Sequence, residues 1–403
     1  MTDLFTDVGD PLERFGYDLN AAARRGDLEP VRSREAEIAR MVAILLRSTK
    51  RNPALVGAAG VGKTALAEGL AQRIVAGDVP AALREARIVS LDHMALLAGT
   101  VFRGQYEDRV KRLVNAVTAD PDVILFIDEM HNLIGQGTAV GVAMDAANML
   151  KPALVREDVR VIGATTQGEY ERWIRADPAL ERRFQPVMVN ELSTEQALGV
   201  LRARRPRLEH HHAVAIHDDA LQAALVLTDK FVTDRAQPDK AIDVLDEACA
   251  HAQATAKLPA ELEQIVKERR RVDTAIRRRL ARGDRLEPDA HQGGADAGPL
   301  DVWQQEIWPA LERLGQEIDR IFGRPEDREG GARGHGGTGA RNDEGAQGPS
   351  AAAPSHPETL LERRDRLDRE MRRGLEQLGV VVTGADVARA VGAATGKRIE
   401  WGG

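Results

Sequence analysis

The sequence predicts an α/β fold: a parallel five-stranded sheet flanked by helices, followed by a small all-α domain. Three observations predict it. Short β-type runs alternate with helical segments from residue 53 to residue 189. A glycine-rich turn joins the first of these runs to a helix. From about Ser193 to His251 the pattern is purely helical.

The elements follow in order. Residues 1–11 read as a short tail. Ser33 is suited to cap a helix in which Ile38, Met41, Val42 and Leu45 recur at helical spacing. The first strand is Pro53–Val56. It runs into Gly57-Ala58-Ala59-Gly60-Val61-Gly62-Lys63-Thr64, and Ala65 continues into a helical pattern through Ala71. Strand, glycine-rich turn and helix are the setting a phosphate-binding loop requires. Such glycines let the backbone wrap a polyphosphate with its N–H groups pointing inward. Lys63 supplies a point charge for the outer phosphates, and the Thr64 hydroxyl is suited to Mg²⁺. The other strands are Arg87–Leu91, Val123–Ile127, Val159–Gly163 and Pro186–Val189. The run Val123–Ile127 delivers Asp128 and Glu129 to the C-terminal edge of the sheet. Asp128 is placed to hold Mg²⁺ through water, and Glu129 to orient or deprotonate a water attacking the γ-phosphate.

Composition narrows the function. At 403 residues the chain has room for roughly two or three domains, and 43% hydrophobic content is ample for a core. A net charge of −7 gives no reason to expect nucleic acid as a partner. Cys249 is the only cysteine, so no intrachain disulfide forms, and its helical setting marks it as a small core residue. The acidic start lacks the basic and apolar regions of a signal peptide. No run of about 18 apolar residues spans a membrane, and the cytoplasm is the expected location.

Beyond residue 257 the pattern changes. Leu258, Leu262, Ile265, Val272, Ile276 and Leu280 step by threes and fours, with Arg269 interrupting the seam. Ile307–Ile321 and Leu360–Leu378 repeat the pattern, as in a short coiled-coil hairpin or in amphipathic helices lying on a domain surface. Residues 329–357, rich in Gly, Ala, Ser and Pro, read as disordered. Thr383-Gly-Ala-Asp386 fits a capping box opening a last helix through about Ala394.

The phosphate loop, the Asp-Glu strand, Gly163-Ala-Thr-Thr166, Leu180-Glu-Arg-Arg-Phe184 and Gln237-Pro-Asp-Lys-Ala-Ile-Asp243 occur in the order seen in Clp-family AAA+ ATPases. The chain resembles the first ATPase module of the ClpB and ClpA chaperones over about residues 12–257 and again over 380–400. That resemblance implies a large nucleotide-binding domain over 12–191 and a small helical domain over 192–257, completed by 380–400. A reduced coiled-coil insertion would span 258–378, with 379–403 as the end of the small domain and the C-terminus. It implies ATP and Mg²⁺ as cofactors, a homo-oligomeric ring such as a hexamer, and a polypeptide as substrate or partner.

The resemblance also assigns residues. Thr166 matches the polar sensor that helps position the attacking water. Arg182 and Arg183 match arginine fingers that reach into a neighbouring subunit's site. Asp239 and Lys240 fall in the segment that closes over the nucleotide. Pro30 and Val31 match the lining of the adenine pocket, but continue as Arg32-Ser33 where the family commonly has Ile-Gly. Val101-Phe102-Arg103-Gly104 resembles the first pore loop, with Phe102 as the apolar wedge that grips polypeptide. A second pore loop would fall at Leu133–Val142. His210–His212 has the look of a metal site, but no second Cys or His cluster accompanies it and no metal is expected there.

The family's N-terminal adaptor-binding domain and second ATPase ring are not found, which suggests a stand-alone single-ring module. Two readings follow: a ring-forming ATP-driven protein remodeller with substrate-gripping loops, or a nucleotide-dependent switch or scaffold that threads nothing.

Overall fold

The computed structural model describes residues 9–99, 103–134, 159–282 and 359–402. The five apolar runs form strands because each sends alternate side chains to two covered faces. In β4 (Val123–Ile127), Val123, Leu125 and Ile127 enter one core while Ile124 and Phe126 enter the other. The first core is closed by α1 (Pro11–Phe15), α5 (His93–Leu97) and α6 (Arg103–Ala119). The second is closed by α2 (Leu19–Arg24), α3 (Glu35–Leu45) and α4 (Lys63–Ala76).

The sheet adds one strand to the expected five. β2 (Asn52–Val56), β3 (Arg87–Leu91), β4, β5 (Arg160–Thr165) and β6 (Phe184–Met188) pair in parallel. A sixth strand, β1 (Gly16–Asp18), pairs antiparallel with β3 at the edge, giving the order β1-β3-β4-β5-β2-β6. At three residues it is too short to show a period of two in the sequence. The tail is shorter than expected at its end, since α1 begins at Pro11 behind an Asp10 cap that accepts from the Leu12 N–H at 2.9 Å. Ser33 does not cap α3; its φ of 60° is left-handed and Arg34 occupies the cap position without a side-chain cap bond.

Among the described residues the large domain also has the short helices α7 (His131–Ile134), α8 (Gln167–Glu169) and α9 (Pro178–Glu181), a 3-10 turn at Ala81–Leu83 and a π-helical stretch at Tyr170–Arg175. The lid packs α10 (Thr194–His212), α11 (Asp218–Phe231), α12 (Asp239–Thr255) and α15 (Gly384–Thr395) around one core that contains Cys249. Burial pushes the Cys249 thiol up to about 12. The expected capping box opens α15, where the Thr383 hydroxyl donates to Asp386 at 2.8 Å. The lid is helical except for one short parallel ladder, β7 (Ala215–Ile216) on β8 (Val381–Val382), which joins its two chain segments.

A helical hairpin leaves the lid as α13 (Ala260–Ala281) and returns as α14 (Leu360–Gln377). Leu262 faces Gly374 while Arg269 faces Asp368, so the two helices run antiparallel. The interruption at Arg269 is an internal ion pair: the residue is 6% exposed and its guanidinium meets both Asp368 and Asp273 at 2.5 Å. Leu378, expected in the seam, is exposed, and Leu375 fills the buried position. The run Ile307–Ile321 and the stretch 329–357 lie outside the described residues. No helix of the described residues is long and apolar enough to cross a membrane.

Candidate active site

The C-terminal ends of β2, β4 and β5 meet the start of α4, and the lid covers them. This is the edge where ligands collect in open parallel sheets. A cavity of about 510 Å³ opens there. Gly60 and Gly62 adopt φ of 80° and 89°, the left-handed conformations the loop needs to turn its N–H groups inward. Gly60 is also fixed by contact, since a Cβ there would lie 2.8 Å from the Asp239 Cβ.

Lys63 and Thr64 open α4 at the cavity floor, together with Ala59, Val61 and Ala65. The Lys63 ammonium donates to the carbonyls of Gly57 at 3.0 Å and Ala58 at 2.8 Å. Burial lowers its pKa, against the opposing pull of Asp128, Glu169 and Glu129. The Thr64 hydroxyl donates to Asp128 Oδ2 at 2.6 Å. Glu129 is held in a left-handed conformation, φ 46°, with its carboxylate accepting from the Asn132 amide at 2.9 Å.

Beside these groups Thr166, already assigned from the sequence, joins three residues that the sequence reasoning missed: His131, Thr165 and Glu169. The Thr166 hydroxyl donates to Glu169 Oε2 at 2.7 Å in a capping box, and His131 Nδ1 lies 2.9 Å from the same oxygen. Thr165 sits between them, 3.2 Å from His131 Nδ1 and 3.3 Å from Glu169. Burial raises the Glu169 pKa, but bonds from Thr166 and the nearby His131 outweigh it and hold the carboxyl below its ordinary range.

Pro30, Val31 and Arg34 also line the cavity, with the apolar Leu192, Val200 and Ile242 of the hinge and lid. Glu68 and the lid's Arg204 line it as well, and burial pushes the Glu68 carboxyl up against the pull of Arg204. Lid residues such as Val200 and Arg204 carry no motif; only the folding of α10 over α4 brings them here.

Other assignments fall elsewhere. Asp239 lines the cavity against Gly60, but Lys240 does not. Lys240 is a correction: 7% exposed, its ammonium lies 2.9 Å from Asp229 and 3.5 Å from Glu191, inside the lid–hinge contact. Arg182, exposed, and Arg183, half-buried, follow α9 outside the cavity. Val101 and Phe102 lie outside the described residues; Arg103 begins α6, and Gly104 beside it is exposed. His212 bonds Asp246 at 2.9 Å and Gln253 at 3.1 Å, while His210 lies 3.5 Å from Asp273.

A phosphate loop after β2, paired carboxylates after β4 with β5 between the two strands, and a helical lid define a nucleotide-hydrolysing P-loop protein. Family models sharpen this. One described as "ATPase family associated with various cellular activities (AAA)" matches residues 53–192, and one for the AAA lid domain matches residues 193–292. The chain belongs to the AAA family of ATPases. It is similar to chaperone protein ClpB of Aquifex aeolicus, 51% identical over 68% of this chain and 27% of that protein. ClpB of Rhizobium meliloti is 45% identical over 77% of this chain and 36% of its own length. The chain thus spans between a quarter and two fifths of these relatives. Among solved structures, the Saccharomyces cerevisiae Hsp104–ADP complex aligns with a TM-score of 0.56 at 36% identity, over 67% of this chain and 52% of that one. A closed-state Hsp104 reconstruction with ATPγS and FITC-casein aligns at 0.55 and 36%, over 68% of this chain and 53% of that one.

Proposed function

We propose that this chain works as an ATP-driven protein remodeller in a homo-oligomeric ring, a hexamer, with ATP hydrolysed at the cavity between large domain and lid. The carrying observation is the Thr64–Asp128 contact of 2.6 Å at the mouth of the phosphate loop, with Glu129 beside it. A hydroxyl and a carboxylate are the hard oxygen donors that suit Mg²⁺. Bound by Thr64 and Asp128, Mg²⁺ would neutralise charge on the outer phosphates.

The remaining roles belong to the chain's own side chains. The loop from Gly57 to Ala65 cradles the phosphates, and Lys63 exchanges its bonds to the Gly57 and Ala58 carbonyls for phosphate oxygens. Glu129 orients the attacking water and takes up its proton. Thr166, held by Glu169, positions that water from the other side. Val31, Leu192, Val200 and Ile242 enclose the base. Arg182 and Arg183 act on the site of the adjacent subunit, and the loop bearing Phe102 grips an extended polypeptide in the ring channel. Relatives named as chaperones, and a structural neighbour solved with casein, support the remodelling reading over a switch that threads nothing.

Phe102→Ala separates the two readings. Loss of unfolding of a tagged model protein, with ATPase turnover largely kept, is the expected outcome. Unchanged unfolding in that variant would overturn the threading role.

A further inference from the structure

Arg34 lines the cavity and is the buried charge to which the roles above assign nothing. It stands at the start of α3 and is 5% exposed. Its Nη2 donates to the Val61 carbonyl of the phosphate loop at 2.6 Å and to the Asn190 carbonyl at 2.9 Å, while Nη1 donates to Glu37 at 2.6 Å. Asn190 lies between β6 and α10, where the chain passes from sheet to lid. One guanidinium therefore ties two segments that are 129 residues apart in the chain (190 − 61).

The lid grips the same hinge from its own side. Glu191 accepts from the Gln237 backbone N–H at 2.7 Å and faces Lys240 at 3.5 Å. The Ala236 N–H also reaches the Ala59 carbonyl of the phosphate loop at 3.4 Å. Loop and lid thus meet along two routes, through Arg34 and through Ala59–Ala236.

We propose that Arg34 is a positioning residue that couples nucleotide occupancy of the phosphate loop to the angle of the lid. A loop that closes on phosphate moves the Val61 carbonyl. A buried guanidinium is costly to leave with its bonds broken, so Asn190 and the hinge follow. Both carbonyls are held by one nitrogen, Nη2, while the second arm of the fork, Nη1, is anchored on Glu37 and fixes the plane; a lysine has one nitrogen and cannot hold the two carbonyls and Glu37 in that geometry. Coupling of this kind is reciprocal: lid position alters nucleotide affinity by the factor through which nucleotide alters the lid. The proposal rests on the nucleotide reading of the cavity.

The test places spin labels at Ser48→Cys in the large domain and Gln222→Cys in the lid, both exposed positions, while buried Cys249 stays unlabelled. The probe is a slowly hydrolysed ATP analogue with Mg²⁺. In the parent chain the interspin distance shifts on binding. In Arg34→Lys that shift shrinks to less than about half, kcat falls about tenfold, and KM moves less than about threefold. Glu37→Gln, which frees the guanidinium to turn, gives an intermediate effect and carries the same readouts should Arg34→Lys fail to fold. A parental distance shift and kcat in the variants, even with a lowered melting temperature, would show a purely structural role and overturn the proposal. A parent chain that binds the analogue without any distance change overturns it too. A parent chain that fails to bind the analogue overturns the nucleotide reading as well.

Discussion

Ser33 holds a left-handed φ of 60° in the loop beside the base end of the cavity, where Clp-family sequences commonly carry glycine. A side chain there costs about 1 kcal/mol that glycine avoids. Ser33→Gly should therefore raise stability by about 1 kcal/mol in urea unfolding, with ATPase turnover unchanged; a loss of stability would remove the strain argument. Glu129 carries a similar strain, φ 46°, but at the carboxylate proposed to orient the attacking water. Glu129→Gln is expected to bind ATP normally and to lose about 10²-fold or more in turnover, read by single-turnover hydrolysis. Glu129 was legible in the sequence because it sits in a contiguous motif at a strand end, whereas Ser33 read as a cap and its left-handed turn left no pattern. Leu192, Val200, Arg204 and Arg34 were not legible as site residues, since their places depend on segments far apart in the chain folding together. Lys240 shows the limit of reading by adjacency. On a helix, one residue turns the side chain by about 100°, so Asp239 meets Gly60 while its neighbour faces Asp229.

At the scale of elements, β4 and β5 are locked where they end. Met130 follows the β4 carboxylates, is fully buried, and bonds through its N–H to the Ala164 carbonyl at 2.9 Å. Its sulfur lies 2.2 Å from where a Cβ on Gly163 would stand. Gly163→Ala should destabilise the protein by about 1–3 kcal/mol through overpacking, and Met130→Ala in the same chain should recover part of the loss, as thermal unfolding of the double variant would show. The His131–Glu169 contact locks the same two strand ends from the polar side. The folded-state pKa of Glu169 lies below its unfolded value, so its contribution is present above the unfolded value and fades as pH falls through the lowered one. Glu169→Gln should accordingly flatten the acid side of the stability profile measured by thermal unfolding. An acid limb as steep as the parent's would place the stabilisation elsewhere. The strands that escaped the sequence, β1 and the β7–β8 ladder, are three and two residues long. Both exist because neighbouring backbone needed partners, which no side-chain pattern records.

At the scale of the whole molecule, the two arginines proposed to act in catalysis stand apart from the cavity of their own chain. Arg182 and Arg183 follow α9 on the outside of the large domain, and neither lines the cavity that holds Lys63, Asp128 and Glu129. If they complete the site of an adjacent subunit, two inactive variants will repair each other. Lys63→Ala spoils the phosphate loop but keeps the arginines; Arg182→Ala does the reverse. Each alone is expected to lose about 10³-fold or more in turnover, the scale of an arginine finger. Random co-assembly places an intact phosphate loop against an intact arginine at about one subunit interface in four, so the mixture regains turnover that neither variant has alone. An arginine that served its own subunit would leave every site in the mixture damaged, and turnover would stay at the level of the separate variants. The recovered fraction, followed as the proportions of the two variants are changed, distinguishes a shared site from a private one because only a shared site peaks at equal proportions.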